Sequence, residues 1–233
     1  MRRRTALGLV LGQVILLGCG DDSTGGGGDA PGGGGPGGGG PGGSGTGGDG
    51  TAGGAEGGSG GGTSSSELTQ AEIDSLYFMR EEEKLARDVY MALDQYGNPF
   101  ANIQNSEQSH MDAILALLQS YGLDDPAEGM AVGEFTDPAL QTLHDALVAK
   151  GLPSQIAALG VGCEIEELDM RDIEAAKDHI DNADILTTYD SLLKGSRNHL
   201  RAYYARLVQV GGSYTPQYIT QAEFDAVVNS PKE

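Results

Sequence analysis

Apolar residues recur at helical intervals in four long stretches of the chain. The first stretch follows the pair Thr69 and Glu72, whose spacing is that of a capping box, and Gly97 and Pro99 end it. Its apolar positions are Leu76, Met79, Leu85, Ala86, Val89 and Leu93. Similar stripes predict three further long helices, so that the four cover about residues 69–96, 100–121, 154–179 and 184–210.

Two shorter helices complete the predicted fold. One spans about residues 138–150, inside the long connection between the second and third long helices, and one begins at a second capping box, Thr220 and Glu223. Strand-like alternation is not convincing anywhere in the sequence. We therefore predict an all-α protein with a ferritin-like four-helix bundle, a short helix in its single crossover and a short C-terminal helix. A simple up-and-down bundle with an insertion is the alternative.

Several polar residues fall on stripes that should face the core. On the first helix Glu82 lies at the centre of the stripe, although a register based on Tyr90 favours Glu83 instead. On the second helix Glu107 is central, and His110 lies one turn further along the same face. Both helices are therefore predicted to carry possible metal ligands toward the core.

The third and fourth helices show the same anomaly. Asp169 is central on the third helix with Glu166 one turn before it, and Ser196 and His199 lie inside the stripe of the fourth. Other polar or aromatic residues receive a plainer interpretation. We predict that Glu81 points away from the stripe of its helix. We also predict solvated positions for Glu164 and Glu167, surface positions for His144 and His179, and core packing for Tyr90 and Tyr203.

Four buried carboxylates in one core would repel one another and lose their hydration unless cations neutralise them. A pair of divalent ions provides that neutralisation. Carboxylates with one or two imidazoles suit iron or manganese, although zinc, copper and nickel also bind imidazole. The alternative is a core network of hydrogen bonds without metal.

The N-terminal part of the chain predicts export and anchoring. Residues 1–19 combine a basic start with a short apolar run, and Leu16, Leu17, Gly18 and Cys19 resemble the lipobox of bacterial lipoproteins. Residues 20–63 are dominated by glycine and predict a disordered tether, which leaves residues 64–233 as the folded domain. Gly20 follows the cysteine, where an acidic residue would signal inner-membrane retention, so the outer membrane is favoured by analogy.

The charge of the chain excludes some partners. It has 14 Lys and Arg against 34 Asp and Glu, a formal net charge of −20, which disfavours nucleic acid and anionic lipid surfaces and attracts cations. Only Cys163 remains if Cys19 is lipidated, so neither a disulfide framework nor a Cys-x-x-Cys metal site is expected.

Five segments together resemble a bacterial ferritin-like family, the domain of unknown function 2202, which is similar at superfamily level to rubrerythrin. They are MREEEKLARDVY, SEQSHMDAI, VGCEIEELDM, LLKGSRNHLRAYY and YTPQYI. The resemblance implies a diiron carboxylate site. Carried over by position, its ligands fall on Glu82 or Glu83, Glu107, His110, Glu166, Asp169 and His199. Ser196 departs from the pattern, because a glutamate is expected there.

The leading expectation is a redox domain on the cell envelope that oxidises ferrous iron or reduces peroxide. A peroxide-reducing cycle would need an external electron donor, since no Cys-x-x-Cys iron module is present. A non-catalytic metal-binding or adaptor lipoprotein is the second expectation, and a purely structural or interaction module is the third. The oligomeric state stays open.

Overall fold

The computed structural model of the protein describes residues 67–233. The predicted signal peptide with Cys19, the tether and the first residues of the predicted domain lie outside these residues. Within them every regular element is helical, as predicted. The helices are α1 (Gln70–Ala92), α2 (Phe100–Ser120), α3 (Pro138–Gly151), α4 (Gln155–Lys177), α5 (Ala183–Gln209) and α6 (Gln221–Val228).

The helix ends follow from local capping chemistry. Thr69 and Glu72 form the predicted capping box at α1, and Thr220 and Glu223 form the one at α6. The Asn182 side chain accepts hydrogen bonds from two backbone amides at the start of α5. α1 ends at Ala92, earlier than predicted, because a short 3-10 turn precedes Gly97.

The four long helices pack in the cyclic order α1, α2, α5, α4. At one end of the bundle, Glu72 at the start of α1 accepts hydrogen bonds from the backbone of Asp181 and Asn182, just after α4 ends. At the other end, the Gln155 side chain at the start of α4 donates to the carbonyl of Tyr96, just after α1. α2 and α4 are therefore parallel, and residues 121–154 cross the full length of the bundle. The ferritin-like character of this bundle stays a prediction.

The crossover is fastened to α1 by buried charged residues. Lys84 contacts Asp88 at 2.6 Å and donates to the carbonyls of Ala131 and Glu134. Glu81, which we predicted to point away from the stripe of α1, is only 4% exposed. Its carboxylate accepts from Thr136 and from the backbone amide of Asp137. Glu81 is buried because the crossover covers the face of α1 that points away from the other long helices.

Two other acids are buried for a similar reason. Glu167 is fully buried, since the segment after α5 covers it, and it accepts hydrogen bonds from Tyr214 and Gln217. Glu164 is 7% exposed and pairs with Lys150 of α3. His144 is also less exposed than predicted, because its ring packs against Phe135 at 5.3 Å between centroids.

In the part of the chain that the structure describes, none of the helices combines the length and the apolar character needed to span a bilayer. The core instead consists of apolar side chains shared among all six helices. Polar side chains interrupt this core at one level, near the middle of the four long helices.

Candidate metal centre

Five carboxylate and imidazole side chains meet inside the bundle. One comes from α1, two from α2, one from α4 and one from α5. They form two groups, each with ligand atoms within 4.8 Å of one another: Glu83, Glu107 and His110 in the first, and Glu107, Glu166 and His199 in the second. Glu107 belongs to both groups. Its position at the centre of the α2 stripe thus becomes a position between two possible ion sites.

The first group joins α1 to α2. Nδ1 of His110 lies 3.1 Å from Oε2 of Glu83 and 2.9 Å from Oε2 of Glu107. Glu83 is 1% exposed and Glu107 is 2% exposed, so both carboxylates are shielded from water. This group offers three ligands of the types that iron and manganese accept.

The second group joins α2 to α4 and α5. Nδ1 of His199 lies 2.9 Å from Oε1 of Glu107 and 3.5 Å from Oε2 of Glu166. Each oxygen of Glu107 therefore faces a different imidazole. The two imidazole rings are stacked, with centroids 5.5 Å apart and an interplanar angle of 27°.

The hydrogen bonding of this cluster is incomplete. Within residues 67–233, Oε1 of Glu107, Oε1 of Glu83 and Nδ1 of His199 are buried without a hydrogen-bond partner. The first and last of these atoms are close enough to bond, but their angles are not those of a hydrogen bond. Since buried polar atoms normally have partners, unpartnered atoms in groups whose ligand atoms lie within 4.8 Å of one another fit a bound cation.

The pKa values of the cluster are set by burial and by attraction between carboxylates and imidazoles. Burial by itself raises the pKa of Glu107, but the imidazoles of His199 and His110 outweigh burial and lower this pKa to about 2. Burial by itself lowers the pKa of His110, but Glu83 and Glu107 raise it to about 12. The pKa of His199 rises to about 10 because Glu107 and Glu166 outweigh its burial in the same way. Without metal, protons on the two imidazoles therefore offset two of the three carboxylate charges, and burial raises the pKa of the third carboxyl, Glu166, to about 7.

Neighbouring residues fix the orientation of the ligands. Nε2 of His199 pairs with the Ser106 hydroxyl at 2.9 Å. Tyr90, which we predicted to serve only in packing, is buried and donates its hydroxyl to Oε1 of Glu166 at 2.5 Å. The Tyr203 hydroxyl is buried without a partner among the described residues, in keeping with a packing role.

Gly195 makes room for His110. A Cβ at this position of α5 would lie 2.5 Å from Cε1 and Nε2 of the His110 ring. An open groove of about 590 Å³ beside α2 and α5 is lined in part by Ser106, Gly195 and His199. The groove thus borders the second group at His199.

The structure separates the two α1 candidates. Glu83 contacts His110 of α2, whereas Glu82 belongs to neither group and lies beside Asp172 of α4, where burial first and then Asp172 raise its pKa well above the usual value. Consecutive helical residues point about 100° apart, so one faces α2 and the other faces α4. The alternative register based on Tyr90 is the one that matches this geometry.

Asp169 also lies outside both groups, although it is only 6% exposed. Its carboxylate Oδ2 accepts a hydrogen bond from the Ser196 hydroxyl. Of the six predicted ligands, the structure thus brings together Glu107, His110, Glu166 and His199. Ser106 and Gly195 were missed, because neither a serine nor a glycine beside a ligand has a distinctive sequence signal.

Fold and site together define an all-α bundle protein with two linked carboxylate and imidazole groups that can hold metal. The chain belongs to the family described as an uncharacterized protein domain (DUF2202), which matches residues 72–231. It is 44% identical over 168 residues to the uncharacterized protein MJ0754 of Methanocaldococcus jannaschii, covering 71% of this chain and 91% of the relative. The crystal structure of hypothetical protein MJ0754 matches 71% of this chain and 96% of that chain, with a TM-score of 0.69.

Proposed function

We propose that this protein is a ferritin-like metal-binding domain whose centre holds two divalent ions, iron or manganese. The observation that carries the proposal is the sharing of Glu107 by two groups of possible ligands. The bundle-long crossover between the parallel helices α2 and α4 supports the ferritin-like assignment, because that fold has one long crossover.

The donor set supports iron or manganese over softer metals. Each group offers two carboxylates and one imidazole, and the described residues contribute no thiolate to either group. Thiolates favour zinc or copper(I), whereas carboxylates with imidazole suit iron and manganese. Zinc and copper(II) compete for any such site, so metal loading is best compared under controlled metal supply.

A redox role is the function that these groups support best. Bound iron or manganese would supply one-electron chemistry toward oxygen, peroxide or ferrous substrate. The protein's own side chains hold the site in place: Tyr90 orients Glu166, Ser106 orients His199, and the surrounding helices exclude bulk water. The groove at Ser106 and His199 admits small reactants, and electrons for peroxide reduction would come from ferrous iron or from an external donor.

A non-catalytic metal-binding or adaptor role is the second candidate. The observation that favours it is Ser196, which stands on α5 where the ferritin-like pattern has a glutamate. A site short of one carboxylate would bind its two ions unequally. Unequal binding would slow any reaction that requires both ions at once.

For location, we propose a lipid anchor at Cys19 that places the domain on the outer membrane of the cell envelope, with the net charge of −20 disfavouring nucleic acid as a partner. Incorporation of radiolabelled palmitate into the parent chain tests this proposal, with Cys19→Ala as the control. Label in the parent and none in the variant supports the anchor, and no label in the parent contradicts it.

Metal analysis of the purified protein tests the central proposal. We expect about two ions per chain after anaerobic loading with ferrous iron, and fewer than one in the variant Glu107→Ala with His110→Ala, because Glu107 serves both groups. Glu174→Ala is the matched control, since Glu174 is an exposed acid on α4. No bound metal in the parent protein would refute the proposal. Oxidation of ferrous iron with oxygen or peroxide then separates catalysis from binding alone.

A further inference from the structure

The register between α4 and α5 brings two pairs of residues into contact. Glu166 meets His199, with the Oε2 and Nδ1 atoms 3.5 Å apart, and Asp169 meets Ser196 through a hydrogen bond. The helices are antiparallel, so a step of three residues forward on α4 corresponds to three residues backward on α5. The carboxylate of Asp169 therefore reaches the place on α5 that Ser196 leaves open.

Only one oxygen of the Asp169 carboxylate has a hydrogen-bond partner. Oδ2 bonds to Ser196, but Oδ1 is buried without a hydrogen-bond partner anywhere in residues 67–233. Ser196 is itself fully buried and also contacts the carbonyl of Leu192 at 3.0 Å, which fixes its hydroxyl on α5. A buried carboxylate oxygen held in one orientation and lacking a partner is suited to bind a cation.

The neighbours of Asp169 and Ser196 on their own helices belong to the second group. Asp169 bonds to Ser196, which lies one turn before His199 on α5. The neighbour of Asp169 three residues earlier on the same helix face, Glu166, is already a member of the second group.

Charge balance favours a fourth carboxylate in the site. The three carboxylates of the two groups leave two divalent ions with excess positive charge, whereas four carboxylates neutralise them. An uncompensated charge in a buried site is strongly unfavourable. The expected α5 carboxylate is absent at Ser196, and Asp169 is the carboxylate in contact with that position.

We infer that Asp169 supplies from α4 the metal-binding carboxylate that α5 lacks, and that Ser196 is the residue that orients it. The site would then have its fourth carboxylate, supplied by α4 instead of α5. The inference rests on the proposed function and deepens it. It also removes the argument from Ser196 for a degenerate site.

The test compares ion stoichiometry and affinity in isosteric variants of the full chain, titrated with ferrous iron or with manganese. We expect Asp169→Asn to retain one ion and lose the second, while Ser196→Ala retains both with about tenfold weaker binding of the second, the usual cost of removing an orienting partner. Asp172→Asn is the matched control, because Asp172 is an equally buried acid on α4 outside both groups. It should retain two ions.

A swap of the two side chains sharpens the test. The variant Asp169→Ser with Ser196→Glu should recover the second ion, since the carboxylate returns to the same place from α5. Two ions bound by Asp169→Asn as tightly as by the parent would overturn the inference, and so would a swap that still holds one ion. Failure of the proposed function is distinct, because the parent would then bind no metal. Circular dichroism of each variant verifies the helical fold.

Discussion

Helix α1 buries charged side chains on two of its faces, and these side chains differ in how many of their carboxylate oxygens have hydrogen-bond partners. On the face under the crossover, Glu81 and Asp88 have protein partners for both carboxylate oxygens. Toward the bundle centre, Glu83 and Glu82 keep buried oxygens that lack hydrogen-bond partners in the described part of the chain. Burial of charge alone therefore does not identify a metal site. The candidate site is distinguished by buried carboxylate and imidazole atoms that lie within 4.8 Å of one another and include atoms without hydrogen-bond partners.

The difference has a physical cause. The part of the crossover before α3 is irregular backbone, whose amides and carbonyls are available to satisfy carboxylates and Lys84. The bundle centre is lined by long helices whose backbone groups are already bonded to one another, so only side chains and bound ions can satisfy a carboxylate there. We expect substitutions on the crossover face to change stability, and substitutions at the centre to change metal binding.

The largest effect is expected from Lys84→Met. The side chain of Lys84 is 2% exposed, and its loss leaves Asp88 with Arg87 as the remaining cation. We expect the free energy of unfolding to fall by about 3 kcal/mol, the lower end for breaking a buried pair, with the ion count of the folded protein unchanged. Urea denaturation and metal analysis measure the two quantities.

The pair of Lys150 and Glu164 offers a control for this variant. Its N–O distance is also 2.6 Å, but the Lys150 side chain is 51% exposed. Lys150→Met should therefore cost less than about 1 kcal/mol. Equal losses in both lysine variants would mean that the crossover face does not depend on its buried charges.

Gly195→Ala should weaken metal binding without a comparable loss of stability. The added Cβ would come within 2.5 Å of the His110 ring and displace it. We expect the affinity of the first group for ferrous iron to fall about 100-fold, the upper end for disturbing the surroundings of a ligand. Isothermal titration under anaerobic conditions measures this change.

Gly160→Ala is the matched variant on α4, where a new Cβ would meet no heavy atom of the described chain within 4 Å. It should preserve affinity and raise stability by about 0.4–1 kcal/mol, because the unfolded chain loses freedom. A similar loss of affinity in both glycine variants would show that close packing at His110 is not the cause.

Tyr90→Phe should have a smaller effect on the second group. It removes the hydroxyl that donates to Glu166 and preserves the packing of the ring. We expect about a tenfold loss of affinity for ferrous iron, measured by competition with a chelator. Tyr203→Phe removes a buried hydroxyl that has no partner among residues 67–233, so it should leave affinity unchanged. A reversed order of the two effects would contradict the role assigned to Tyr90.

The pH dependence of stability should be the most gradual effect. The imidazoles of His110 and His199 have folded-state pKa values of about 12 and about 10, above the usual 6.5, because of the surrounding carboxylates. Their stabilisation is complete below pH 6.5 and is lost as pH rises through these values. The melting temperature of the metal-free protein should therefore decline by roughly 2–4 °C for each kcal/mol lost as pH rises from 6.5 toward 10.

Metal binding should respond to pH in the opposite direction. Ligation requires neutral imidazoles, so ions displace the protons and their apparent affinity increases with pH. The gap in melting temperature between the loaded and metal-free protein should widen over the same range. A metal-free protein whose melting temperature does not change with pH would contradict the ion pairing of His110 and His199 with Glu107.

Much of the fold could be predicted because its determinants are local. Thr69, Glu72, Thr220 and Glu223 act within one helical turn, and the apolar stripes repeat along single helices. The burial of Glu81 and Glu167 could not be predicted in this way. Each is covered by a segment distant in sequence, the crossover in one case and the chain after α5 in the other.

The candidate site likewise combines features that depend on one helix with features that depend on contacts between helices. Glu107 and His110 share one helix, so their spacing alone placed them on a common face. The choice between Glu82 and Glu83 depends on which neighbour each one faces, α4 or α2, and helical phase alone left both open. The contact between Asp169 and Ser196 depends on the register of two antiparallel helices, which a stripe on either helix does not specify.

The sequence by itself thus determined the helices, their caps and the helical turns on which polar side chains face inward. These features follow from interactions within a few residues. The tertiary structure alone decided which inward carboxylates meet and share Glu107, and which are satisfied by the crossover. Those outcomes depend on helix order, crossover path and register. These properties come from packing between segments far apart in the chain, where side chains approach within a few ångströms only after the bundle has formed.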